Sequence, residues 1–215
     1  MRSLSLAFII ALSAATLFAQ NWRYELSEVD KDVRTQHYGH ARKWSIKVIN
    51  SMSDHLGTGP DSMYSLAMAV AYRSMAEAGL GNDADADWYA HVVFALYPKL
   101  ATQDWSAYGD VGQWLTAKKH EGELTADTDA PPRLPVKRAE PECPLSAIVG
   151  AYYQPVTVGA IVDTDGTLHC PKLVSQTTAP TLVYAAFESL KDFSFEPGGA
   201  PTKYQVTVNF KPPKS

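Results

Sequence analysis

The chain has 215 residues, a net charge of −4 and a pI near 5.8. Its hydrophobic share of 46% is enough for a sizeable core, which excludes disorder throughout. Lys and Arg nowhere cluster among aromatics, so neither nucleic acid nor an anionic membrane surface is an expected partner.

Residues 1–19 open with Arg2, continue as an apolar run from Leu4 to Phe18 and end at Ala19 before Gln20-Asn21. This is the pattern of a secretory signal peptide. An uncleaved inner-membrane anchor is the alternative, although the run falls short of the roughly 20 apolar residues a spanning helix needs. Export would place the protein in the periplasm, where the pair Cys143 and Cys170 is a disulfide candidate; two buried free thiols are the other reading. Cys170 beside His169 has no second ligand pair, so no metal site is expected there.

Residues 20–119 read as a helical domain. Ala41, Trp44, Val48, Met52 and Leu56 recur at helical steps, and Gly57-Thr58-Gly59-Pro60 ends that helix. A second helix, capped by Asp61 or Ser62, carries Leu66, Ala69, Val70, Arg73, Met75 and Ala76 and stops at Gly79-Leu80-Gly81. A third is expected from Asp83 to Leu96, and a fourth across Trp105 to Ala117, interrupted by Gly109 and Gly112. Ala67, Ala71 and Ala78 permit close helix approach. The pairing of such helices resembles, weakly, the hairpins of tetratricopeptide arrays, with an ordinary four-helix domain as the alternative.

Residues 120–142 are charged and carry Pro131, Pro132, Pro135 and Pro141, the composition of a linker that breaks any regular element. In residues 143–215, Val156 to Val162 and Leu168 to Val174 form a β-hairpin closed by Asp163-Thr164-Asp165-Gly166. Pro180 opens a helix with Leu182, Val183, Ala186, Phe187 and Leu190 on one face. Phe193-Ser194-Phe195-Glu196-Pro197 is extended, and Tyr204 to Phe210 alternates as a half-solvated strand.

Three pieces of this last segment together resemble the C-terminal domain of the TonB energy-transducer family. They are Asp163, Asp165 and Gly166 closing the hairpin; Phe193, Phe195, Glu196 and Pro197 in the place of the family's aromatic-x-aromatic-x-Pro element; and the terminal strand with Val206, Val208 and Phe210. The resemblance covers about the last 60 residues. It implies a small antiparallel sheet with a packed helix. It also implies a last strand, Tyr204-Gln205-Val206-Thr207-Val208-Asn209-Phe210, that adds to a peptide of an outer-membrane receptor or another envelope protein. The fold class expected is therefore an N-terminal helical-hairpin domain, a Pro-rich linker and an α+β C-terminal domain. A full transducer has an anchor with polar residues and a long proline-rich spacer. This chain has a helical region in their place, so a soluble or peripherally held component is expected.

Residues for catalysis are not apparent. Asp83, Asp85 and Asp87 alternate as in a calcium loop, but Trp88 and Phe94 stand where its glycine and glutamate belong. His37 and His40 lack further ligands, and no nucleophile elbow, phosphate loop or Cys–His motif of known spacing is present. No enzyme activity, cofactor, metal or small-molecule substrate is expected. The alternative function is a periplasmic scaffold whose helical domain is the main binding surface, with the last strand pairing to a second copy.

Overall fold

A computed structural model describes residues 22–57, 59–119, 133–175, 177 and 179–211; the expected leader, residues 1–19, and Pro131 and Pro132 lie outside them. The fold is mixed, helices with small antiparallel sheets. No helix among the described residues is long and apolar enough to cross a membrane.

Helix α1 spans residues 22–34 and buries Trp22, Val29 and Val33 at helical spacing. Helix α2, Tyr38–His55, buries Ala41, Ser45, Val48, Ile49 and Met52; Trp44 sits at the margin, its indole donating to His40 Nε2 at 2.7 Å. His40 also meets Asp32 Oδ2 at 2.5 Å and His37 meets Thr35, so this histidine pair ties the α1–α2 turn together. Helix α3, Pro60–Gly79, begins one or two residues before the expected caps. Pro60 supplies the first turn, where a missing N–H costs nothing, and Gly59 at φ 119 bends the chain into it. Met63, Leu66, Val70, Tyr72 and Met75 are buried on several sides of α3, as expected of a helix surrounded by others. It packs on α2, on α4 (Asp83–Leu96) and on α5 (Gly109–Lys118).

The fourth expected helix is split. A 3-10 turn at Ser106–Tyr108 precedes α5, and Gly109, at φ 61, makes the break. Gly112 does not interrupt the helix; a Cβ there would collide with the carbonyl of Trp105, so this glycine lets α5 approach.

In the C-terminal half, α6 (Leu145–Gly150) leads to β2 (Val156–Val162) and β3 (Leu168–Leu173), then α7 (Pro180–Lys191), β4 (Ser194–Phe195) and β5 (Thr202–Val208). The main sheet has the antiparallel order β3-β2-β5, with Val156 opposite Val208 and Val162 opposite Thr202. Helix α7 packs on β2 and β3 and buries the five apolar residues expected of its face. The stretch read as linker is not irregular at its end. Pro135–Lys137 forms β1, antiparallel to β4 with Pro135 opposite Phe195, and Arg133 donates to Asp163 O at 2.7 Å. Proline is tolerated there because β1 is a short edge strand.

Nearly all the buried apolar side chains of both halves form one continuous cluster, from Trp22 to Phe210, with Ile161 and Cys170 as a separate pair. Helices α3 and α4 pack directly on α7, and α4 packs on β3.

Gly166 and Gly199 both have left-handed φ, 86° and 74°, but only Gly166 is hemmed in, by the carbonyl of Phe195. Gly199→Ala should cost only the backbone strain of about 1–2 kcal/mol. Gly166→Ala should cost measurably more in urea unfolding, because the Phe195 backbone must also move.

Candidate functional site

The three sequence pieces at the C-terminus meet in space. Gly198 N–H donates to Thr164 O at 2.6 Å, which binds the segment after α7 to the hairpin turn. Phe193 and Phe195 both pack on the Tyr204 ring, with centroids 6.2 and 4.9 Å away. Pro197 and Glu196 are exposed beside them. In the turn, Asp165 Oδ1 accepts from the N–H and hydroxyl of Thr167 at 2.8 and 2.6 Å, and Asp163 Oδ1 accepts from Thr164 N–H at 2.6 Å. These bonds hold Asp165 below its ordinary value. Asp163, Asp165 and His169 place one ligand atom each within 4.8 Å of one another, but the aspartates are engaged in holding the turn.

Strand β5 lies at the edge of the three-stranded sheet, and no strand pairs on its outer side among the described residues. Its side chains alternate: Thr202, Tyr204 and Val208 are buried, Val206 half-buried, and Lys203, Gln205 and Thr207 exposed. Asn209 and Phe210 follow just past the strand's end, with Phe210 buried. Thr207 and Thr157 hydroxyls meet at 3.0 Å across the ladder. This edge can accept main-chain hydrogen bonds from an extended segment; it holds no group placed for proton transfer.

A second polar assembly stands where the helical half meets α7. Arg73 of α3 lies 3.9 Å over the Tyr89 ring and donates to the Tyr184 hydroxyl at 2.8 Å. Glu188 Oε2 is 3.4 Å from the Tyr89 hydroxyl and 3.9 Å from Arg73 Nη1. Lys191 reaches Asp85 at 2.5 Å. Burial raises the Glu188 carboxyl above its ordinary value despite the nearby cations Arg73 and Lys191. Burial likewise pushes the Tyr89 and Tyr184 hydroxyls far up, so both stay protonated donors.

Comparison with protein-family models, curated proteins and solved structures finds no match.

The expected disulfide is not formed: Cys143 and Cys170 are not bonded to each other. Cys170 is buried on β3, where the register shifts and its φ is 50°, and its Sγ lies 3.5 Å from His91 Nε2 of α4. Cys143 belongs to the segment before α6, beside α2 and α7. His91 Nδ1 is 2.9 Å from Asp87 O and 3.6 Å from Asp87 Oδ2. That carbonyl can only accept, which puts the proton on Nδ1 and turns Nε2 toward the thiol as acceptor. Cysteine, histidine and aspartate thus stand in line, yet the thiol is 3% and the imidazole 7% exposed, and the arrangement serves to pin α4 to β3. Sequence reasoning missed both this contact and the Arg73 assembly. Their members are 79 and 111 residues apart, and the available signals were the polar Arg73 on a largely apolar helix face and the single histidine in α4.

Three outcomes follow. Reduction should leave the protein's mass and gel mobility unchanged. Tyr184→Phe leaves the largely buried Arg73 Nη1 without its acceptor and should cost about 1–3 kcal/mol in urea unfolding. Because Glu188 holds its proton to higher pH folded than unfolded, its contribution to stability falls as pH rises from 4.5, the ordinary glutamate value, through its raised folded value. Glu188→Gln should remove that slope, read as urea midpoints across the same pH range.

Proposed function

We propose that this chain is a non-enzymatic, TonB-like component of bacterial envelope transport, exported to the periplasm, whose edge strand β5 docks on an extended peptide of an outer-membrane receptor or other envelope protein. The observation that carries the reading is the position of β5: last in the sheet, without a strand partner on its outer side among the described residues, and anchored on its inner face by Tyr204 and Val208. Strand addition needs a rigid edge, because the backbone donors and acceptors must already be aligned when the peptide arrives. Tyr204, met by Phe195 edge to face and by Phe193 at a tilt, supplies that rigidity. Main-chain bonds would supply the affinity, and the exposed Lys203, Gln205 and Thr207 the selectivity. The same polar outer side chains, Lys203 above all, guard the edge against indiscriminate pairing.

The test uses two neighbouring prolines. Along an edge strand, successive N–H groups point alternately to the sheet and to the outside, so of Gln205→Pro and Val206→Pro one removes a ladder bond to β2 and the other only an outward donor. The inward change should lower stability by about 1–3 kcal/mol, the cost of a ladder bond lost with its acceptor left unpaired. The outward one should fold with an unchanged circular-dichroism spectrum and lose the envelope partners that the unaltered full chain recovers in a pull-down. Retention of all partners by the stably folded variant would refute docking through β5.

A further inference from the structure

The alternation of buried and exposed residues along β5 continues past the strand's end, so Lys203, Gln205, Thr207, Asn209 and Lys211 all stand exposed on one side of the extended chain. A cation closes each end, with uncharged hydrogen-bonding side chains between. Lys203 and Lys211 lie eight residues, roughly 26 Å, apart along such a chain. Neither forms an ion pair among the described residues. No Asp or Glu occurs in β2, in β3 or in residues 202–211, although the whole chain carries a net charge of −4. The charge of the two lysines is not answered by the sheet that carries them.

That sign selects the occupant. Opposite charges set directly across a ladder stabilise the pair, while a lysine on an edge strand disfavours basic and apolar segments. A second copy of β5 cannot supply the opposite charge. Laid antiparallel about Thr207, two copies would set Lys203 against Lys211 at both ends, and in every other register residues 202–211 still offer no carboxylate. We infer that the segment received by β5 is acidic, with two carboxylates eight residues apart on one side, one facing Lys203 and the other Lys211, and hydroxyl or amide side chains at the alternate positions between. The spacing fixes the register. A slip of one residue turns both carboxylates to the other side, and a slip of two carries both past their lysines. The inference rests on the docking of β5 proposed above and names the chemistry of what docks.

Fluorescence anisotropy of labelled nonapeptides with the full chain, at low ionic strength, tests it. The probe is Glu-Val-Thr-Val-Asn-Val-Thr-Val-Glu, beside counterparts ending in glutamine or in lysine and one of equal net charge whose carboxylates are six residues apart. At roughly threefold for each opposed pair, the probe should bind about tenfold more tightly than the glutamine peptide and about threefold more tightly than the six-residue one. The lysine peptide should bind most weakly. Lys203→Glu with Lys211→Glu should reverse the order of the glutamate and lysine peptides, and Lys172→Gln, exposed on β3 away from this edge, should leave it unchanged. Equal binding of the glutamate and glutamine peptides, lost in the outward proline variant, would overturn this inference and leave docking at β5 standing. Binding that survives that proline would overturn docking at β5 and this inference with it. Equal binding of the six-residue peptide would overturn the register, and no binding of any peptide up to about 1 mM would overturn the acidic occupant, with the pull-down deciding docking separately. A peptide of residues 121–129 of this chain, which carries Glu121 and Asp129 at its ends, completes the series. Tighter binding of that peptide than of the probe would place this chain's own sequence, rather than an envelope partner, at the edge and overturn the assignment to a partner.

Discussion

The structure turns on the guanidinium of Arg73. It sits on a helix surrounded by apolar neighbours, with its side chain 14% exposed, and a charge there must be compensated or it destabilises the fold by several kcal/mol. Compensation comes from two other elements: the face of Tyr89 in α4 and the hydroxyl of Tyr184 in α7. A planar guanidinium can stack and donate at once, which a lysine ammonium in the same place cannot. The charge therefore fixes how α7 lies on α3 and α4, where apolar contact alone would tolerate some sliding.

Once α7 is set, the sheet follows. The apolar face of α7 covers β2, and β2 carries β3 on one side and β5 on the other. The end of α7 delivers Phe193 and Phe195 onto Tyr204, and the backbone of Phe195 lies so close to Gly166 that only a glycine fits the hairpin turn. Strand β3 is held in turn by Cys170 against His91 of α4. Each contact fastens the sheet from the β3 or α7 side. None of them occupies the outer edge of β5, and this is the physical reason that edge is at once rigid and open.

Local chemistry was legible in the sequence and distant pairing was not. The bounds of α4 follow from Asp83 and Pro98, the turn from Asp165-Gly166, and β5 from its alternation, since each is determined by residues next to one another. The start of α3 was misplaced because Asp61 and Ser62 look like caps while Pro60 was already helical. Gly112 was misread as a breaker because its reason, the Trp105 carbonyl, is a packing contact. Strand β1 was hidden among prolines, and its partner Phe195 lies far along the chain. The expectation of a disulfide failed for the same reason: two cysteines in one compartment say nothing of which neighbours the fold gives each. Strand β5 could be placed from sequence; the Arg73 assembly could not, because its partners come from both halves.

Residues 133–145 run from the small sheet to the cavity between the two halves. At one end Arg133 holds the hairpin turn and β1 pairs with β4, whose Phe195 supports Tyr204 of β5. At the other end residues 139–145 wall the cavity over Arg73 and Glu188. Between the two, Ala139 and Cys143 pack against the shared core, so the segment is fastened along its length. The shared core of the two halves thus holds the sheet and the cavity wall in one packed unit, which two domains on a flexible tether would lack.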